Sequence, residues 1–542
     1  MKKLLAIALC TVMTASLFAG CGGKGKENKA EGDLPEAKTE AVAGEPGWKA
    51  DTEPITLDWY ITYSWFNGMW DTGEFSQLIE SKTGIKVNFI IPSGNESEKL
   101  NTMIAGNTLP DMLTLNAGDP AIKEMVKAGL LHPLNDLADK YDPYFYDVTS
   151  EQTMKWFAQE DGKTYGYPNA SIAPEQYDDI HMDIYQSFNV KNDYYEAIGS
   201  PDMSTPEGFL NALQAAKDMY GDQVDGFIPI GFHSFTDTGN FSFDSYLQDY
   251  LGIPKTKDGK LYDRREDAGY QEWLKTFRKG NEMGLIADNV FTDSRQQLEE
   301  EIAQKRVFAL LYQNCDFMPE QEMFWKEDPN TAYVAIQGPS SGSEPRLEGP
   351  SISGWTVTLI SKNCKDPERA IQFMSYLLSE EGSIDSFYGE IGKHCEIGED
   401  GNPHFLPEWQ ELYVNDYDSF NEKTGQDPLW MLRNPVLEKN WNAEQPVYLA
   451  QMYSWGLPYV VNGSQYSQID PDAGTEEAEI KQDIDLLWGS TLPKLITAAS
   501  DEEFDSLLQD FFTQRDAKGW DKLLAFQQGK YEENCKKLGI SE

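Results

Sequence analysis

The chain has 542 residues, 40% of them apolar, with 45 Lys plus Arg against 90 Asp plus Glu and a formal net charge of −45. That length exceeds one hydrophobic core and calls for at least two domains. A charge of that sign repels phosphate backbones and anionic headgroups, which excludes nucleic acid as a partner.

Lys2 and Lys3 precede an apolar run over 4–18 that is too short to span a bilayer. A basic start, a short apolar core and the small residues Ala19-Gly20 read as a secretory signal over 1–20. Leu17-Phe18-Ala19-Gly20-Cys21 resembles a bacterial lipobox, in which the cysteine carries a diacylglycerol, with Phe18 where Leu is usual. Residues 21–52 follow as a tether rich in Gly, Glu, Lys, Ala and Pro, which lacks the apolar content to collapse and is expected to be disordered. Together these features predict an exported protein, lipid-anchored through Cys21 on the extracytoplasmic face of the cell membrane.

Alternating, β-branched and aromatic residues predict a strand over 55–61, followed by a loop that contains Tyr63 and Trp65. A helix over 75–83 ends near Gly84, a second strand runs over 85–91, and a helix over 96–105 follows. A third strand is read at 111–115 and a helix at 121–128. Strands alternating with helices indicate an α/β fold with a parallel sheet covered on its faces. Ligands of such sheets sit at the carboxyl ends of strands, which singles out Tyr63, Trp65, Asn116 and Asp119.

Further along, Thr205 is placed to cap a helix that begins at Pro206, and Asp366 one over 368–379. A strand over 228–232 runs into His233, and one over 308–311 runs towards Asn314, again polar tips at strand ends. Trp355 opens a strand beside Gly354, Tyr167 lies in the stiff run Tyr165-Gly166-Tyr167-Pro168, and Trp430, Arg433, Tyr453 and Trp455 fall in a stretch that carries no signature. Trp59, Trp156, Trp273, Trp488 and Trp520 sit inside predicted strands or helices and are read as core.

Catalytic signals are lacking. The five histidines make no tight ligand spacing, and there is neither a G-x-S-x-G elbow nor a phosphate loop. A pair of carboxylates flanking a sugar is the remaining enzymatic alternative. The run from Asp470 to Glu477 has a calcium-loop flavour, but Gly474 falls where the third acidic ligand belongs, so it reads as a solvated acidic loop. Cys315, Cys364, Cys395 and Cys535 form no C-x-x-C, and spacing leaves their pairing open. No metal and no cofactor is expected.

Leu109-Pro110-Asp111-Met112, the run from Gly129 to Leu137 and Asp161-Gly162-Lys163-Thr164-Tyr165-Gly166-Tyr167-Pro168 resemble three consecutive signatures of bacterial extracellular solute-binding proteins. The order continues with the run from Ser204 to Leu210, that from Gln304 to Leu311, Ser353-Gly354-Trp355, and the run from Asp366 to Gly382. These proteins are the receptor subunits of ABC importers, and the resemblance is to the large, family-1-like lipoprotein class associated with carbohydrates. It implies a two-lobed, type II periplasmic-binding-protein-like fold with discontinuous lobes and hinge strands. Lobe one is expected over 53–164 plus 339–362 and lobe two over 165–338 plus 363–542, with crossings at 165–169, 338–340 and near 361–363. It further implies a monomeric receptor, not an enzyme. That receptor would capture an oligosaccharide between its lobes and pass it to ABC permease transmembrane subunits. A peptide or other small polar solute, and a sensing role without transport, are the alternatives.

Overall fold

The computed structural model describes residues 34–66, 68, 70, 73–179, 186–441 and 446–540. The signal stretch 1–20, Cys21 and the tether up to residue 33 lie outside the described residues. The chain divides into two compact units, 1–38 and 39–542, and every element named below belongs to the second.

Nine strands build two mixed sheets. In chain order they are β1 (Ile55–Ile61), β2 (Ile85–Ile90), β3 (Met112–Asn116), β4 (Gly166–Pro168), β5 (Gln186–Lys191), β6 (Ile228–Phe232), β7 (Val307–Gln313), β8 (Tyr333–Ile336) and β9 (Thr356–Ile360). The first sheet has the order β2-β1-β3-β9-β4 and the second β8-β5-β7-β6. β1 runs parallel to β2 and β3, as its sequence predicts, whereas β9 runs antiparallel to both β3 and β4. In the second sheet β6 and β7 are parallel, and β5 is antiparallel to β7 and β8.

The early elements lie within a residue of the sequence reading: helices span Glu74–Thr83, Glu96–Gly106 and Pro120–Lys127. Trp59 is fully buried, and its indole N–H donates to Thr114 Oγ1 across the sheet at 2.9 Å. Both expected caps form: Thr205 Oγ1 accepts from Gly208 N at 3.1 Å, and Asp366 Oδ1 accepts from Arg369 N at 3.3 Å. A second core gathers Phe188, Phe209, Trp273, Phe277 and Trp488 around the other sheet. The edge strand β8 is closed by two glutamines. Gln321 donates to and accepts from Tyr333's backbone at 2.8 Å each way, and Gln451 does the same with Ala335 at 2.8 and 2.9 Å.

Two expectations need correction. The disordered tether was expected to reach residue 52, yet Thr39 already donates from N and Oγ1 to Glu368 Oε1 at 3.0 and 2.6 Å. Trp48 is 2% exposed, wedged edge-on between Tyr144 and Tyr376, and Gly47 N donates to Asp142 Oδ1 at 3.1 Å. One tryptophan buries as much apolar area as several smaller residues, so it docks a stretch whose average composition is that of a coil.

The second correction concerns the chain passages. Near 361–363 the chain stays with the first sheet: Ser361 N donates to Asp111 O and Lys362 N to Leu130 O, at 3.1 and 2.8 Å. The helix Pro367–Leu378 then covers that sheet, with Phe373 against Trp59 and Trp70 and Arg369 bonded to Glu53 O. Residues after 340 remain with the second core: Arg346 N donates to Asp249 O at 2.8 Å, and Leu347 is buried in that core while Leu347–Glu348 pairs with Val460–Val461. The helices Ala268–Glu282, Glu476–Thr497, Asp501–Lys518 and Trp520–Leu538 pack together beyond that sheet.

Candidate ligand-binding site

β1 and β3 end at the same edge of the first sheet because they are parallel, and β9 starts there because it is antiparallel. The register pairs Thr356 with Asn116 and Val357 with Pro168. Trp355, the residue before β9, therefore lies between the ends of β3 and β4. Ala117 N donates to Trp355 O at 2.9 Å, and Trp355 N donates to Asn169 O at 3.4 Å. Gly354 has φ +59°, and a Cβ there would collide with Asn169 O, which is why a glycine precedes this tryptophan.

The loop after β1 brings two more rings to the same place. Ser64 N and Oγ donate to Glu96 Oε1 at 2.7 and 2.9 Å, and Phe66 N closes a turn onto Tyr63 O at 3.2 Å. Tyr63 stacks on Trp65 at 5.1 Å and lies 5.3 Å from Trp355. The fourth ring, Trp430, arrives from the short 3₁₀ helix Asp427–Met431. It stacks on Trp355 at 4.6 Å and 15°, and on Trp65 at 6.0 Å and 19°, while Trp65 and Trp355 are 6.0 Å apart and 4° from parallel. Trp65 is 57% and Trp355 41% exposed, so this aromatic platform offers ring surface to a ligand. Stiff rings present apolar area at little entropic cost, and each ring–ring contact within the platform is worth roughly 0.5–1.5 kcal/mol beyond area.

The polar groups predicted beside these rings frame the platform. Asn116 Oδ1 accepts from Gly118 N at 3.0 Å, and Asp119 Oδ1 caps the helix Pro120–Lys127 through Ala121 N at 2.9 Å. Burial raises the pKa of the Tyr63 hydroxyl; the Asn116 amide lowers it, and the Glu96 and Asp119 carboxylates push it further up.

At the carboxyl edge of the second sheet, His233 N donates to Ser242 Oγ at 2.9 Å, and its ring lies 4.3 Å from Tyr312 and 5.5 Å from the exposed Phe241. Burial lowers the imidazole pKa to about 4, with Arg295 adding to the effect, so His233 is neutral at ordinary pH. Asn314 is fully buried directly after β7.

Four further sequence candidates are committed elsewhere. Tyr167 is buried, accepts from Ser150 N at 3.0 Å through its hydroxyl and packs edge-on against Phe145. Arg433 pairs with Glu438 at 3.0 Å and lies over Phe387 at 5.2 Å. Tyr453 is buried in a small cluster with Tyr448 and Leu449. Trp455 stacks on Tyr250 at 5.7 Å.

A model of the family described as bacterial extracellular solute-binding protein matches residues 75–391, more than half of the chain. This chain belongs to that family. The fructooligosaccharide ABC transporter substrate-binding protein FusA of Streptococcus pneumoniae serotype 4 is 26% identical over 227 residues, covering 40% of this chain and 41% of FusA. The match thus spans about two-fifths of that relative's length. Two solved structures share the fold. The alginate-binding protein AlgQ2 without calcium ion has a TM-score of 0.65 at 18% identity, over 90% of this chain and all of its own. S. pneumoniae FusA in complex with kestose has a TM-score of 0.65 at 18% identity, over 88% of this chain and 99% of its own. These relatives are substrate-binding proteins rather than enzymes.

In this solute-binding protein, Asn169 is the residue that reading the sequence did not single out for the site. It is 5% exposed; its Oδ1 accepts from Thr356 N at 2.9 Å and its Nδ2 donates to Trp430 O at 3.4 Å. Asn169 thereby ties the carriers of two platform tryptophans to the end of β4. Phe66, also missed, supports Trp430 edge-on at 5.8 Å. The acidic loop is bridged by side chains: Lys123 pairs with Asp472, and Gln527 donates to Asp470 at 2.9 Å. Among the described residues no group of three or more His, Cys, Asp or Glu is placed to hold a metal ion. Cys315, Cys364, Cys395 and Cys535 are unpaired.

Proposed function

We propose that this chain is the receptor of an ABC importer and captures an oligosaccharide between two lobes. The observation that carries the reading is the platform of Tyr63, Trp65, Trp355 and Trp430 at the carboxyl edge of the first sheet. A sugar ring has an apolar face that packs on such a plane, while hydroxyls around its rim need polar partners of the kind Asn116 and His233 provide. The packing described above supports lobes of about 39–170 plus 355–441 and of about 186–348 plus 447–540. Hinge closure over the ligand is driven only by contacts made to both lobes. Cys21 would carry the lipid that holds a monomeric receptor on the extracytoplasmic face of the membrane, beside the permease subunits that take the sugar.

Thermal-shift screening of a soluble form that starts at Leu34, against neutral and acidic oligosaccharides and short peptides, tests the reading. A ligand at 100 times its dissociation constant adds about 2.7 kcal/mol of stability. A melt that peptides raise and no sugar does overturns the carbohydrate assignment.

A further inference from the structure

We infer that Phe241, Tyr312 and His233 form the second lobe's half of the sugar site, in which Phe241 closes over a sugar ring lying on the tryptophan platform. The inference rests on the receptor reading and deepens it.

Strand directions bring the two places together. β4 runs parallel to β3, since both are antiparallel to β9, so the chain leaves the first sheet at the platform edge. It enters the second sheet at Gln186, which pairs with Gln313 at the end of β7. It leaves again after Ile336, which pairs with Phe188 near the start of β5, and returns to Thr356 beside Trp355. The two passages are bonded to each other: Ile172 N donates to Ser351 O at 3.1 Å, and Tyr177 Oη donates to Pro350 O. Both therefore join the platform edge to the carboxyl edge of β6 and β7, where His233 follows β6 and Tyr312 is the penultimate residue of β7.

Among the described residues the exposed aromatic rings are Trp65, Tyr146, Phe241 and Trp355, and three of these four stand on the two joined edges. Phe241 is 52% exposed on a fixed mount. Asn240 Nδ2 donates to His233 O at 2.6 Å, His233 N to Ser242 Oγ at 2.9 Å, and Ser242 Oγ to Leu311 O at 2.6 Å. The Phe241 ring rests edge-on against His233 and Tyr246 at 5.5 and 5.0 Å, and Tyr246 Oη donates to Gln313 Oε1 at 2.6 Å. A ring so held keeps apolar area in water until a ligand covers it.

Polar groups adjoin it. The rings of His233 and Tyr312 are 4.3 Å apart, and His233 Nε2 and Tyr312 Oη are buried without a hydrogen-bond partner among the described residues. Buried polar atoms are ordinarily bonded, so two open ones on adjoining rings mark a place for hydroxyls. A neutral imidazole and a phenol can each donate to a hydroxyl or accept from one.

The test is calorimetric titration of the soluble form with maltotriose, cellotriose, mannotriose, galactotriose and kestose, followed by small-angle scattering with and without the tightest binder. Wild type should contract on binding as the lobes close. Phe241→Ala should bind at least tenfold more weakly, equivalent to about 1.4 kcal/mol, and lose most of the contraction. Its melting temperature should hold, because the ring is more than half exposed. Tyr312→Phe removes an oxygen that no described group bonds, so it should also keep its melting temperature while binding roughly threefold more weakly. Unchanged affinity or an undiminished contraction in Phe241→Ala overturns the inference and leaves the receptor reading in place. A Tyr312→Phe variant that binds as tightly as wild type overturns it as well. Failure of every sugar to bind overturns the receptor reading and this inference with it.

Discussion

Asn169→Ala isolates the residue that fastens the platform together. The substitution removes the acceptor of Thr356 N, in a residue with no exposed surface, and the donor to Trp430 O. A buried N–H left without a partner costs about 1–3 kcal/mol, and a long neutral bond adds about 0.5 kcal/mol, so the variant should lose about 1.5–3.5 kcal/mol in urea unfolding. The functional consequence is separate. Without the amide Trp430 is no longer tied to residue 169, which still accepts from Trp355 N through its main-chain carbonyl, and the 4.6 Å stack loosens. A loosened stack presents less ring surface to a sugar, and we expect roughly a tenfold loss of affinity, equivalent to about 1.4 kcal/mol. The far-UV exciton couplet of parallel indoles reports the stack directly, in the absence of ligand. We expect Asn169→Ala to weaken the couplet and the affinity together. Asn169→Asp keeps an acceptor for Thr356 N but buries an unpaired carboxylate facing Trp430 O, so it should lose at least as much stability as Asn169→Ala and retain only part of the couplet. An undiminished couplet with unchanged sugar affinity in Asn169→Ala would refute the positioning role.

Other outcomes follow from the same geometry. Trp355→Ala should reduce oligosaccharide affinity by about 2 kcal/mol, roughly 30-fold, because a central aromatic anchor is lost, and should barely move the melting temperature, because the ring is 41% exposed; unaltered binding in calorimetry removes it from the site. Trp48→Ala should cost about 3–5 kcal/mol in urea unfolding and open residues 39–50 to limited proteolysis; a resistant segment would contradict its docking. The His233 pKa, lowered from 6.5 to about 4, means that the unfolded chain binds more protons between those values. Its contribution to stability is therefore complete above pH 6.5 and is lost as pH falls towards 4, by about 3 kcal/mol. Wild type compared with His233→Gln over pH 4 to 7 should show that difference growing on acidification, and parallel curves would exclude it.

The first third of the fold was legible because its signals are local. Alternation in β1 and the glycine after residue 83 each act within one strand or one turn. The helix capped by Asp366 was legible too, but a cap reports where a helix begins, not which sheet it covers. That gap misplaced the chain passage near residue 362. Trp48 was lost to averaging, since a single large ring decides what composition cannot. Of the site, strand ends pointed to Tyr63, Trp65 and Trp355, which the structure brings together. Their meeting with Trp430 spans 75 residues from Trp355 and has no local trace. Asn169 reads as an ordinary loop asparagine, because its role lies in whose backbone it bonds.

The glutamine seal on β8 has a bearing on how this protein behaves in crowded solution. An outermost strand normally leaves every second amide and carbonyl open to an extended segment of another molecule. Here Tyr333 and Ala335, whose groups point outward, are each answered by a primary amide that imitates a peptide unit. The sheet is thus finished from within, and intermolecular strand addition at this border must first displace two satisfied side chains.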